Sequence, residues 1–225
     1  MATRRFLLIL PALIGLSWLS VGVARSGTAE SIASEASSSM MQWTATGGRP
    51  NLEAWLEVRN AFLRAQGLSP GDPNVEENLG VLHALRSERH DYIPQAFQYF
   101  MRALELRPSS PYTWANLAEA LYRDGRTDQT FEYALRRAAM LGPYEPEVQR
   151  TLADYGLAVW SEAAPETRAA VTNMVAAGMR RSPVEILQIS ERRGRLGPAC
   201  AHVRGDSRLA DSKWIKLCES KEITP

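Results

Sequence analysis

The chain has 225 residues, 26 basic and 25 acidic side chains, and a formal net charge of +1 at neutral pH. That balance excludes a polyanion binder driven by overall charge. The length beyond the first segments suits one folded domain of about 175 residues with a continuous core.

The first segment covers residues 1–24. Arg4 and Arg5 precede Phe6 to Val23, a run of 18 residues with no charge. A positive flank followed by an apolar run reads as an export signal. The run is long for a cleaved core and just long enough to span a bilayer. Two outcomes stay open: an uncleaved anchor, or a signal cut after Ala24. Both leave Arg4 and Arg5 on the cytoplasmic side and export the remainder. No cysteine follows the run, which excludes a lipoprotein anchor.

Residues 25–48 are rich in Ser, Ala, Thr and Gly, with Arg25, Glu30 and Glu35 as the charges. Such a composition buries too little apolar surface to fold, so a flexible tether is expected. Met40, Met41 and Trp43 are its apolar exception, expected to start packing on the first helix.

Residues 49–182 carry a repeat. Leu79-Gly80, Ala96, Phe100, Ala103 and Pro108 stand in one order; Leu117-Ala118, Phe131, Leu135, Ala138 and Pro143 repeat it closely. Small residues let paired helices approach, large ones fill the groove between them, and each proline ends a helix. The period from Pro108 to Pro143 is 35 residues. A half unit precedes these (Val58, Phe62, Ala65, Pro70). A weaker unit follows, with Leu152-Ala153 on one helix and Ala169, Asn173 and Ala176 on another, interrupted by Pro165. The first full unit has extra residues around Ser87 to Tyr92.

These residues resemble the tetratricopeptide family over roughly Asn51 to Arg181. The resemblance implies an all-α fold: a right-handed superhelix of helix hairpins, after an N-terminal apolar anchor helix. The first helices of such hairpins line a concave groove. Carried onto this chain, the groove residues are Tyr112, Asn116, Glu119, Tyr122, Arg123, Arg150 and Asp154. Tyrosine and arginine are frequent anchors of interfaces.

Residues 183–225 leave the repeat and read as a helical cap over the open end of the stack. One amphipathic segment runs from Pro183 to Arg193, and another holds Trp214, Ile215 and Leu217. Cys200 and Cys218 both lie here. In an exported chain two cysteines are expected to pair, although two free thiols are the alternative. Residues 50–179 hold 17 acidic and 12 basic groups, and residues 180–225 hold 10 basic and 6 acidic. The basic end could face anionic lipid or polysaccharide, or complement helix C-termini.

No constellation points to catalysis. The histidines His83, His90 and His202 are scattered, and no phosphate loop, nucleophile elbow, metal spacing or cofactor motif is present. The expected function is therefore a non-enzymatic scaffold, free of cofactors and metals, that binds proteins and not nucleic acid. The stretches Pro108 to Ala118, Ala134 to Gln149 and Ile189 to Leu196 look like those of VpsP-type polysaccharide-biosynthesis proteins. That resemblance implies an adaptor at the periplasmic face of a bacterial inner membrane, held through its N-terminal helix among proteins of a polysaccharide-assembly complex. Rival expectations are an assembly factor of another envelope machine, and a carbohydrate module using Trp43, Trp55 or Trp160 as sugar-stacking platforms.

Overall fold

A computed structural model describes residues 2–47, 49–86, 92–203, 207–209 and 213–220, with side chains described from residue 15 to residue 219 within those ranges. The described residues form helices joined by turns, with no strand among them. Helices α1 (Ala2–Thr46), α2 (Leu52–Leu68), α3 (Pro73–Ala84), α4 (Tyr92–Leu106), α5 (Pro111–Arg123) and α6 (Gln129–Leu141) follow in order. Then come α7 (Pro146–Thr151), a π turn (Leu152–Gly156), α8 (Pro165–Arg181), α9 (Pro183–Arg192), α10 (Gly197–Cys200) and α11 (Lys213–Ser220).

Local chemistry sets the boundaries. Asn51 caps α2 by accepting from the Ala54 amide at 2.8 Å, and Asp72 caps α3 by accepting from the Asn74 amide at 2.8 Å. Ser110 and Asp128 cap α5 and α6 the same way. Pro73, Pro111, Pro146, Pro165 and Pro183 each stand in the first turn of a helix, where the missing amide costs nothing. Pro165, expected to break the weaker unit, stands between its two helices and begins the second. The Asp124-Gly125 turn needs glycine, whose φ is +75°. Residues 87–91, which hold the extra residues of the first unit and His90, lie outside the described set.

Consecutive helices pair: α1 with α2, α3 with α4, α5 with α6, and α7 plus the π turn with α8. The first helices also touch one another, α1 on α3, α3 on α5 and α5 on α7. Helix crossings fall where small residues stand. A Cβ added at Gly80 would lie 2.5 Å from the Phe100 ring, so only glycine admits that ring. Leu117, Ala118, Phe131, Leu135 and Ala138 are fully buried together in the central core.

Two sequence expectations fail here. Residues 25–46 are not a flexible tether; they continue α1 and supply the first helix of the first hairpin. Ala29, Ala36 and Met40 bury against Trp55, Val58, Phe62 and Ala65 of α2. The Asn78 amide of α3 donates to the Ser37 hydroxyl at 3.2 Å. The alanine-rich segment folds against the apolar residues of α2, which it covers together with Val75, Leu79 and Leu82 of α3. The register of the last hairpin also differs. Ala169 and Asn173 are exposed, and the face of α8 that packs inward holds Thr167, Val171, Met174, Val175 and Gly178. In the facing π turn Gly156 sits against Val171, a contact no larger residue would permit.

At the N-terminus, helix continues through the uncharged run. Leu16, Trp18, Leu19, Val21 and Val23 are exposed. Among the described residues no helix is long and apolar enough to cross a membrane. Residues 6–14 of the run have side chains outside the described set.

The C-terminal segment packs over the last hairpin. Ile186, Leu187 and Ile189 of α9 join Val175, Met179, Leu209 and Trp214 in one cluster. Cys200 and Cys218 form a disulfide between α10 and α11, with Cα atoms 5.5 Å apart. Arg208 donates to the carbonyls of Met179 (3.2 Å) and Arg180 (2.9 Å), closing the C-terminus of α8.

Candidate partner-binding groove

Glu119, Tyr122, Arg123, Arg150 and Asp154 come together where α5, the π turn and α9 meet. A concavity of ≈ 340 Å³ lies there, lined by Glu119, Arg150, Asp154 and Tyr155 on one side and by Glu185, Gln188 and Arg192 on the other. Helical periodicity explains the first set. Glu119 and Arg123 are one turn apart on α5 and pair at 3.3 Å. Arg150 sits between two carboxylates, Glu147 at 3.9 Å and Glu185 at 3.5 Å.

Tyr155 is the aromatic residue of the lining, and further rings pack against it. Tyr122 lies 5.1 Å from Tyr155 and 6.2 Å from Phe131, ring centre to ring centre. The Arg193 guanidinium covers both tyrosines, at 5.7 Å and 5.8 Å from their ring centres. Its Nε donates to Asp154 at 2.6 Å, and Arg192 donates to the same carboxylate at 3.2 Å. The hydrogen bond to Asp154 raises the Arg193 pKa further. Burial, then the Glu119 carboxylate it hydrogen-bonds, pushes the Tyr155 hydroxyl well above its ordinary value. The tyrosine is a neutral donor at any physiological pH.

Tyr112 and Asn116 stand apart from this concavity. Asn116 donates to Glu77 of α3 at 3.3 Å, one hairpin earlier on the same run of first helices. Glu77 also accepts from Thr113 at 2.7 Å and Arg107 at 3.0 Å, so it staples two hairpins together. Tyr112 lies in the first turn of α5 and donates to Glu145. That hydrogen bond raises its hydroxyl pKa to about 12.

The sequence pattern does not single out Tyr155, Glu185 or Arg193. Arg192 and Arg193 read there as solvated charge at the end of a helix. Nothing local distinguishes them; only the fold of α9 back over the π turn brings them to Asp154. Trp55, expected among the sugar-stacking platforms, is fully buried, and its indole N–H donates to the Leu82 carbonyl at 2.9 Å. It offers no face to a ligand.

Chemically the concavity presents both signs of charge, a hydrogen-bonding tyrosine and an apolar edge at Ile189. That mixture suits a polypeptide, which carries donors, acceptors and side chains of either sign. Among the described residues no group of three His, Cys, Asp or Glu side chains could hold a metal ion. No family model matches the chain, and no characterised protein matches it.

Proposed function

We propose that this chain is a membrane-anchored adaptor that captures a protein partner in the concavity between α5, the π turn and α9. The observation that carries the reading is the convergence of Glu119, Arg150, Asp154 and Tyr155 from successive first helices onto one hollow. Stacked helix pairs of the tetratricopeptide kind bind partners on that face. The Cys200–Cys218 bridge agrees with an oxidising compartment outside the cytoplasm. The resemblance of 108–149 to VpsP-type proteins directs the search to polysaccharide-assembly partners in the bacterial envelope. The role needs no catalytic group and no cofactor.

Site-specific photo-crosslinking in cells tests it. Gln188 lines the hollow and is exposed. A photoreactive residue there is expected to trap one defined envelope protein, and Arg150→Glu is expected to reduce that product. A photoreactive residue at Asn173, on α8, is expected to trap none of it. Equal trapping at Gln188 and Asn173, or trapping indifferent to Arg150→Glu, would refute the assignment.

A further inference from the structure

We infer that one edge of the hairpin stack rests on a lipid bilayer, positioned there by α1 acting as a rigid stalk. The inference rests on the membrane reading of the N-terminal run.

α1 is one helix from Ala2 to Thr46. From Ala29 onward it packs on α2, while its preceding turns expose Trp18 (77%), Leu19 (67%) and Val23 (72%). With no break between the halves, the apolar half leaves the domain at a fixed end. Arg25 marks that end. Its guanidinium donates to the Gly67 carbonyl at 3.2 Å, level with the last turn of α2. A span ending at Val23 therefore puts the turn after α2 beside the headgroups.

Antiparallel pairing then fixes the rest. The turns after α4, α6 and α8 share the end of the turn after α2. Contacts link them along the edge: Gly71 abuts Leu106, and Gly142 abuts Pro111. The edge exposes Leu106, Met140 (61%) and Tyr144 (79%), with Arg180 and Arg181 exposed beyond them. Of its acids, Asp72 accepts from the Asn74 amide and Glu145 from Tyr112, while Glu105 and Glu147 are exposed, Glu147 3.9 Å from Arg150. The opposite edge exposes Asp124, Thr127 and Glu162 beside Arg49, Arg123 and Leu52, and its Asp128 caps α6 and pairs with Arg126 at 3.7 Å. Aromatic and apolar groups beside arginine suit the interface of an anionic bilayer, and the near edge exposes the larger ones, Tyr144 and Met140. The asymmetry matches the end from which the apolar half emerges. The two observations are independent and agree.

The full chain is reconstituted in vesicles of phosphatidylethanolamine and phosphatidylglycerol containing headgroup spin-labelled lipid. A fluorophore is placed at Tyr144→Cys or at Thr127→Cys. The expected result is strong quenching at 144 and near-background quenching at 127, since a spin label quenches only a fluorophore that approaches it closely. A flexible Gly-Ser insertion between Ala24 and Arg25 should leave vesicle flotation intact and bring quenching at 144 down to the level at 127. Flotation with equal quenching at both sites overturns the stalk and leaves the anchor standing. Failure to float overturns both.

Discussion

Arg193 donates to Asp154 at 2.6 Å across 39 positions of sequence, and its guanidinium covers two tyrosines at the same time. This one side chain ties α9 to the π turn and to α5. Both partners are about three-quarters buried, with side-chain exposures of 24% and 23%. A double-mutant cycle of Arg193→Ala and Asp154→Ala is expected to give a coupling of about 1 kcal/mol in urea denaturation. Arg193→Lys should recover only part of it, because a lysine lacks the flat fork that bridges carboxylate and ring. Zero coupling would mean that Ile186, Leu187 and Ile189 hold α9 unaided.

Gly80→Ala tests the tightest helix crossing. The added Cβ would stand 2.5 Å from the Phe100 ring, so the ring or a helix must move. Overpacking of that kind costs about 1–3 kcal/mol. The gain in helix propensity, about 1 kcal/mol, offsets only part. The variant should melt below the parent protein, and Phe100→Leu in the same chain should restore some of the loss. A Gly80→Ala protein that melts higher would show that α3 and α4 slide freely past each other.

Acid should weaken the second hairpin through His83. The ring is buried against Trp55 at 5.2 Å and Tyr99 at 5.2 Å, and no described residue hydrogen-bonds either ring nitrogen. Burial, with the Arg59 cation adding to it, lowers the pKa from 6.5 to about 4. The folded state therefore keeps the imidazole neutral while the unfolded chain takes up a proton. Stability is complete above pH 6.5 and is lost progressively as pH falls toward 4. The loss attributable to this residue is at most about 3 kcal/mol. His83→Phe should remove that part of the pH dependence in denaturant titrations from pH 7 to pH 4.5. An unchanged pH slope would place the acid sensitivity in other groups.

The central hairpins are legible in the sequence because their crossings use the least substitutable residues. Gly80 opposite Phe100, and Ala118 beside Leu135 and Ala138, declare a close approach by residue type and spacing alone. The first helix of the first hairpin is harder to see. Ala29, Ile32, Ala33, Ala36, Met40 and Trp43 lie at helical spacing, but so few large side chains carry a weak signal. The stronger clue is on α2, whose Trp55, Val58, Phe62 and Ala65 require a partner. The last hairpin misleads for a different reason. A π turn alters the register within its own helix and no residue type announces one, and α8 buries Val171, Met174 and Val175 instead of the alanines the repeat pattern points to. Glu119, Arg150 and Asp154, chosen from helical spacing on α5 and the segment after it, do line one concavity. It is illegible on α9, because the contribution of Arg192 and Arg193 depends on how the chain folds back.

The Cys200–Cys218 bridge yields the last prediction. It closes a separation of 18 residues and joins α10 to α11, a helix of 8 residues too short to persist alone. Reduction should release α11 before the hairpins unfold, because the central core of α4 to α8 contains neither cysteine. The chain-entropy contribution is about 3 kcal/mol for a loop of this length. Hydrogen exchange under reducing conditions should show protection lost first at 213–220, followed by Leu209 and α9, while α3 to α6 keep theirs. If reduction instead deprotects all helices together, the C-terminal segment and the hairpins form one cooperative unit. The bridge would then stabilise the whole stack and not only its end.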